Sequence, residues 1–390
     1  MTDSTTGGQP RPKRPKKSRA KKAHHPKRSN TELDRIIEST RMGHPNVDRM
    51  IAAIIERNNA RHAHEDKVIS YKTMHEREIF YKAFYKELHN ETIYRSFEPR
   101  RLKENQVEAM ALLWEARELS AGTIANYLSY LRTWCQWTGR PPQTVRDAAY
   151  YFGEDSVLAH RRQAAEEDHS WIAAGIDHAT VLLSIATICP YVAIQTEFSR
   201  LFGARPKEAR CLRPHEAVIP ITEAIADDIP EGCTATHCLR FERGTKGGRV
   251  RDVPIVTQAQ WDLINRAKAM VAPGQHLGRP GFSLKANTAQ YYRVLAKVGI
   301  TRKLVGTSGH GLRHERAGNA YQADAGVPPP VRGGVAPDRE TDRRARAAVA
   351  KLLGHNRYQI SSCYLGSPSV RPAVEAEEQA DTEPGEASPP

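Results

Sequence analysis

The residues best equipped for chemistry lie near the C-terminal end of this 390-residue chain. The stretch GTSGHGLRHERAGNAYQ carries His310, Arg313 and His314, and KLLGHNRYQISSCYLG carries His355, Tyr358 and Tyr364. His310 and Arg313 are three positions apart, so a helix would set both on one face. Imidazole nitrogens beside a planar guanidinium make a holder for phosphate oxygens, because the fixed fork of Arg donors matches that anion. A tyrosine hydroxyl is a weak nucleophile near neutrality, its ordinary pKa being about 10. It becomes useful where cations surround it and a phosphorus atom is held in line. Together these residue types point to a phosphate-directed site.

Tyr364 follows His355 by nine positions, with Ser361 and Ser362 between them. HGLRH, then LLGH, then this tyrosine resembles the catalytic domain of the tyrosine recombinase (phage integrase) family, whose pattern is H-x-x-R, L-G-H and a tyrosine nine residues on. The resemblance calls for an upstream arginine and a lysine in a β-turn. LFGARPKEARCLRPHEAV supplies G-x-R-x-x-E as Gly203, Arg205 and Glu208. Arg205 would start a helix, where unpaired backbone donors also face an anion, and Glu208 would brace an arginine. THCLRFERGTKGGRVRDVPIV alternates apolar and polar residues around GTKGG, which predicts a β-hairpin with Lys246 at its tip. Neighbouring Arg249 and Arg251 leave that register open.

The resemblance therefore implies a catalytic set of Arg205, Lys246, His310, Arg313, His355 and Tyr364. Arg205 and Arg313 would hold the non-bridging oxygens and stabilise the charge of the transition state. Tyr364 would attack in line to give a 3′-phosphotyrosyl DNA, and Lys246 would protonate the leaving 5′ oxygen. His310 would assist proton removal from Tyr364, and His355 would add a hydrogen bond to the phosphate. The activity implied is site-specific DNA recombination. A type IB topoisomerase uses a similar set, and a catalytically inactive DNA-binding relative is a third reading. The sequence has neither the acidic cluster of a two-metal nuclease nor a Walker motif, so no cofactor or metal is expected. Family resemblance also implies double-stranded DNA as partner, a tetramer on paired sites and a possible accessory DNA-bending protein.

Composition agrees with a polyanion partner. Lys and Arg number 58 against 45 Asp and Glu, a net charge of +13, and such a surplus favours nucleic acid. No run of 18 apolar residues is present, so no membrane span is expected. The N-terminus lacks the apolar core of a signal peptide. Six cysteines at 135, 189, 211, 233, 238 and 363 form no CxxC pair, which fits a reducing interior. The expected place is the bacterial cytoplasm, on the nucleoid when bound to DNA.

The elements that must position the site predict a mainly α chain with a small β-hairpin region, in which a helical domain precedes a mixed α+β catalytic domain. Residues 1–30 hold ten Lys or Arg between Arg11 and Arg28, broken by prolines, and read as a disordered basic arm. Residues 31–98 read as helices, with aromatics interleaved among basic residues between 67 and 97. At helical spacing such aromatics are more often core than a nucleic-acid surface.

Residues 99–177 read as a compact helical unit. One helix would run through Trp114, and a second would carry Ile124, Leu128, Leu131, Trp134 and Cys135 on one stripe. A third is expected near 156–167. TIANYLSYLRTWCQW resembles the core-binding (SAM-like) domain of the same family, which clamps the opposite face of the duplex. The apolar stretch DHSWIAAGIDHATVLLSIATI suggests the start of a larger core. Residues 178–366 would form the catalytic domain, and the acidic, Pro-rich 367–390 a disordered tail. Forty-one residues separate Arg313 from His355, more than the resemblance leads one to expect. The excess falls in GVPPPVRGGVAPDRETDRRAR, read as an irregular loop spanning 324–345.

Overall fold

The computed structural model describes residues 28–39, 46–60, 69–161, 163–335, 337–355 and 357–367. The basic arm, apart from its last residues, and the acidic tail beyond 367 lie outside them. The chain divides into two compact units, one ending at His160 and the other beginning at Arg161.

The first unit is helical throughout: Asn30–Ser39, Val47–Asn58, Tyr71–Glu91, Glu104–Ala116, Ala121–Trp137 and Ala148–Phe152. Serines start two of these helices, Ser70 accepting from the Thr73 amide and Ser120 from the Thr123 amide, which satisfies donors the first turn leaves free. Phe80, Tyr81, Phe84, Tyr85 and Phe97 are buried against Trp114, Leu128, Leu131 and Trp134 in one core. These aromatics are thus packing residues. Their polar ends are satisfied: the Tyr85 hydroxyl and the Trp134 indole both donate to the Pro99 carbonyl, at 3.0 and 2.7 Å. Ile124, Leu128, Leu131, Trp134 and Cys135 share the buried stripe. The expected helix at 156–167 is absent from the described residues there. The helix forms earlier, capped by Asp147, and Gly153 ends it at φ 86°.

The second unit combines helices with a three-stranded antiparallel sheet. Strands β1 (Val218–Pro220), β2 (His237–Phe241) and β3 (Arg251–Pro254) lie in sequence order, with Leu239 opposite Val253 and Phe241 opposite Arg251. The β2–β3 turn carries Lys246, and Gly247 and Gly248 adopt positive φ there. Leu239, Phe241 and Val253 pack on Phe198, Phe202, Leu263 and Ile264. The helices are His178–Ile188, Pro190–Phe202, Pro206–Cys211, Gln258–Met270, Leu284–Lys297, Arg302–Val305, Gly311–Ala325, Arg339–Leu352 and Ser362–Leu365.

The apolar stretch expected to start a larger core enters one through Trp171 and Ile185, with Ile176 and Val181 packed against it, while Leu183 stays 72% exposed. One further sequence expectation needs correction. The stretch after Ala325 is only partly a loop: Asp338 caps Arg339–Leu352 by accepting from the Glu340 and Thr341 amides, both at 3.0 Å. That helix seats Ala345 and Val349 against Ala317 and Tyr321. The prolines and glycines end at 337, and the run behind them has helical periodicity that its arginines disguise.

Candidate active site

Arg313 is the hub. It sits in the first turn of Gly311–Ala325 and is fully buried. Its Nε donates to the Tyr364 hydroxyl at 3.1 Å, and its Nη1 donates to the Gly203 carbonyl. Nη2 donates to the Leu353 carbonyl at 2.5 Å and meets His355 Nε2 at 3.3 Å. One guanidinium thus ties together three segments far apart in sequence. Gly203 ends the helix Pro190–Phe202 in the left-handed region, at φ 61°, and a Cβ there would fall 2.9 Å from Leu353. Glycine is required at that point.

Arg205 follows directly and opens Pro206–Cys211, where Pro206 suits the first helical position. Glu208 holds it from two sides, accepting from the Arg205 amide at 2.8 Å and from its guanidinium at 2.5 Å. The second carboxylate oxygen of Glu208 also accepts from Arg251 Nη2 at 2.8 Å. Burial alone would raise the Glu208 pKa, but Arg251, Arg313 and Arg205 around it prevail and hold it at about 2. Arg205 Nη2 reaches to 3.5 Å from His355 Nε2. Both arginines therefore face one imidazole.

The histidines are held neutral. Burial first, then Arg313 and Arg205, push His355 down to about 3, with Lys246 contributing in the same direction. Burial and the same two arginines bring His310 to about 4. Burial, then the neighbouring His310 and His169 rings, bring His314 to about 3. A neutral His355 whose Nε2 faces two guanidinium donors carries its proton on Nδ1.

Tyr364, only 5% exposed, lies in Ser362–Leu365 with its ring centroid 4.8, 5.8 and 6.0 Å from those of His314, His355 and His310. The structure thus gathers Arg205, His310, Arg313, His355 and Tyr364. Lys246 lies exposed on the β2–β3 turn and reaches this group through its charge, which acts on His355 and on Cys363. Tyr358 is 37% exposed under the Arg343 guanidinium, outside the cluster. Among the described residues no group of His, Cys, Asp or Glu is arranged to hold a metal ion.

Three supporting features escaped the sequence reading. Arg251 is buried, bonds Glu208 and donates to the Leu352 carbonyl at 2.7 Å, with its guanidinium 4.3 Å from the Phe241 ring. Arg346 is paired with Asp342 and donates to Ser362 Oγ at 3.2 Å and to the Gly366 carbonyl at 3.0 Å, so it brackets the helix that carries Tyr364. A strap formed by residues 163–177 is bonded into the second unit: the Ala165 amide donates to the Ser362 carbonyl at 2.9 Å, Arg332 pairs with Asp168 at 2.9 Å, and Trp171 donates to the Ser308 carbonyl at 2.8 Å. The domain boundary expected at 177/178 falls at the far end of this strap, whereas the second compact unit begins at Arg161. Only Arg251 carried a signal, as an apolar-flanked arginine at a strand start.

Residues 55–144 match the family described as "Phage integrase, N-terminal". No curated protein sequence matches the chain. Among solved structures, the chain is similar to a lambda integrase dimer bound to a COC′ core site, at 13% identity over 94% of this chain and 85% of that one, with a TM-score of 0.47. It is also similar to the Tn1549 transposon integrase in complex with transposon right end DNA (13% identity, 81% and 95% covered, TM-score 0.46) and to XerA recombinase (13%, 91% and 100%, 0.32). Residues 55–144 thus match a phage integrase N-terminal domain, and the H-x-x-R, L-G-H and tyrosine of the sequence lie in order downstream of that match.

Proposed function

We propose that this chain is a site-specific DNA recombinase that cuts and rejoins strands through a covalent 3′-phosphotyrosyl intermediate on Tyr364. The observation that carries the reading is the bond from Arg313 to the Tyr364 hydroxyl, with Arg205 and His355 converging on the same point. A phosphate entering there would meet two guanidinium groups whose positions Glu208 and backbone carbonyls fix in advance. Preorganised charge of this kind stabilises the pentavalent transition state without reorganisation at the moment of reaction.

The neutral histidines suit proton handling. His310, beside the tyrosine ring, accepts the proton as the Tyr364 oxygen attacks phosphorus; His355, whose imidazole faces both guanidinium groups, adds a hydrogen bond to the phosphate. The bond to the 5′ oxygen breaks as the tyrosyl bond forms, and Lys246, swinging in on its glycine-flanked turn, protonates that leaving group. Rejoining is the reverse, with a 5′ hydroxyl as nucleophile. If that hydroxyl comes from a second duplex, the product is recombinant, which calls for protomers assembled as a tetramer on paired sites. An accessory DNA-bending protein and action on the nucleoid of a bacterial cytoplasm belong to the same reading.

The test is a suicide duplex, nicked near the cleavage point and drawn from sequence flanking the native gene. Wild type should form a covalent adduct and Tyr364→Phe should form none. An adduct that persists in the variant would move the nucleophile elsewhere, with Tyr358 the next candidate. No adduct from either protein on a site it binds would favour an inactive DNA-binding relative. Relaxation of supercoils without exchange between duplexes would favour a topoisomerase.

A further inference from the structure

The segment between Arg313 and His355 is longer than the family pattern leads one to expect, and the helix Arg339–Leu352 accounts for only part of it. The rest begins at Gly326, which ends the Gly311–Ala325 helix, and turns back over that helix through Pro330–Arg332. It is built into the second unit: Pro330 is buried, and a Cβ on Gly334 would collide with the Pro328 carbonyl.

Arg332 makes the tie. Its Nε donates to Asp168 at 2.9 Å, its Nη1 to the Asn319 side-chain oxygen at 2.8 Å and its Nη2 to the Glu315 carbonyl at 3.5 Å. The Arg332 and Asp168 side chains are 18% and 12% exposed, so solvent and salt screen their pair less than a surface one. The guanidinium lies over Gly318, where a Cβ would come within 2.6 Å of its central carbon. The helix that carries Arg313 is thereby joined to the strap 163–177.

Asp168 is itself fixed, accepting from the Ser170 amide and hydroxyl, both at 2.9 Å. The His169 carbonyl accepts from Thr307 Oγ1 at 2.5 Å, and a Cβ on Gly311 would collide with that carbonyl. Glu315 holds the far end of the strap, accepting from the Ile172 amide at 3.3 Å. Both joined segments also touch the Tyr364 helix. The Ala165 amide donates to the Ser362 carbonyl at 2.9 Å. A Cβ on Gly366 would fall 3.0 Å from the Val331 nitrogen and 3.2 Å from the Ala165 oxygen. Val331 and Ala165 thus close on the end of Ser362–Leu365 from two segments that Arg332 and Asp168 fasten together.

We propose that Arg332 and Asp168 are positioning residues for Tyr364: their ion pair locks the strap and the extra segment around the tyrosine's short helix and so sets where its hydroxyl stands. A four-residue helix has too few internal bonds to fix a side chain by itself. In-line attack tolerates little displacement, since a misplacement of about 1 Å can cost about 10²-fold in rate. The effect on rate rests on the reading of Tyr364 as nucleophile, whereas the clasp itself does not.

The experiment joins amide hydrogen exchange over residues 358–367 of the full-length protein to single-turnover adduct formation on the suicide duplex. Wild type is compared with Arg332→Met and Gly318→Ala. Alanine favours a helix over glycine, so Gly318→Ala displaces the guanidinium without weakening the fold and stays informative if Arg332→Met fails to fold. Both variants should exchange 358–367 about tenfold faster, as loss of a hydrogen bond to a charged group predicts. The sheet and the helix Gln258–Met270 should exchange as in wild type. Adduct formation should slow about tenfold while duplex affinity, read by mobility shift, is unchanged. Exchange at wild-type rates in both variants would overturn the proposal. So would a rise spread evenly over the second unit, or faster exchange with the adduct rate unchanged. A wild-type protein that forms no adduct would sink the Tyr364 reading instead, and the exchange rates would then decide the clasp.

Discussion

Replacing Glu208 by Gln would leave Arg251 buried beside a neutral amide and remove the brace from Arg205. Breaking a buried ion pair from one side costs about 3–5 kcal/mol, so Glu208→Gln should lower the urea midpoint markedly while Tyr364→Phe shifts it little. Arg313→Lys keeps the charge but loses the fork that meets Tyr364, His355 and two carbonyls. It should slow adduct formation by about 10²–10³-fold while duplex binding, measured by mobility shift, stays near wild type. The site also sets an acid limit. Glu208 is held at about 2, below its unfolded value, so the stability it confers is present above about 4.5 and is lost as pH falls toward 2. His355, His310 and His314 are held at about 3 to 4, below their unfolded value of about 6.5, so the unfolded chain takes up protons first. Their neutral burial becomes a growing cost as pH drops below 6.5. Denaturation at a series of pH values should show stability falling from pH 6.5 downward, with a shallower fall in His310→Asn; a flat profile to pH 4 would contradict the burial of these rings.

At the scale of elements, the Tyr364 helix Ser362–Leu365 is too short to hold itself in place. Arg346 and the strap at Ala165 grip it from two sides. Arg346→Met should therefore reduce the rate of adduct formation more than it reduces DNA affinity, and Ala165→Pro, which removes one amide donor, should do the same more weakly. Equal losses of rate and affinity would mean that these contacts serve general folding instead. The same elements show what the sequence could and could not disclose. The clustering of Arg205, His310, Arg313, His355 and Tyr364 was legible as a set because phosphoryl chemistry, if it occurs here, asks for particular side chains in a fixed order. The helix Ala121–Trp137 was legible because its apolar stripe and its Ser120 cap agree. Arg251 and Arg346 were not, since a buried arginine inside an arginine-rich stretch differs from a surface one only in its partners, and those lie over a hundred residues away in one case. β1 is three residues long and leaves no periodicity to read, while the helix Arg339–Leu352 hides an apolar face of alanines and valine among charges.

For the whole molecule, the +13 charge means that the DNA binding proposed above should be governed by salt. A protein that neutralises six to ten phosphates loses about 10³–10⁵ in affinity between 50 and 200 mM salt. Tyr364→Phe on a duplex should fall within that range, and a slope near zero would contradict a backbone-tracking surface. Recombination should further depend on protein concentration more steeply than cleavage of a single suicide site does, because exchange needs protomers on both duplexes.

The bonds of Arg313 have one more consequence. All but one of its N–H groups are already spoken for: the tyrosine, the histidine and two carbonyls take the rest. A phosphate arriving at this arginine finds a hand that is full. Seating the substrate must be an exchange, and the carbonyl bonds, anchored in the backbone, are the harder ones to release. The tyrosine hydroxyl would be the partner to let go, so on the proposed function gripping the phosphate would also release the group that attacks it. On the proposed function, the tyrosine would stay tethered to Arg313 until DNA arrives.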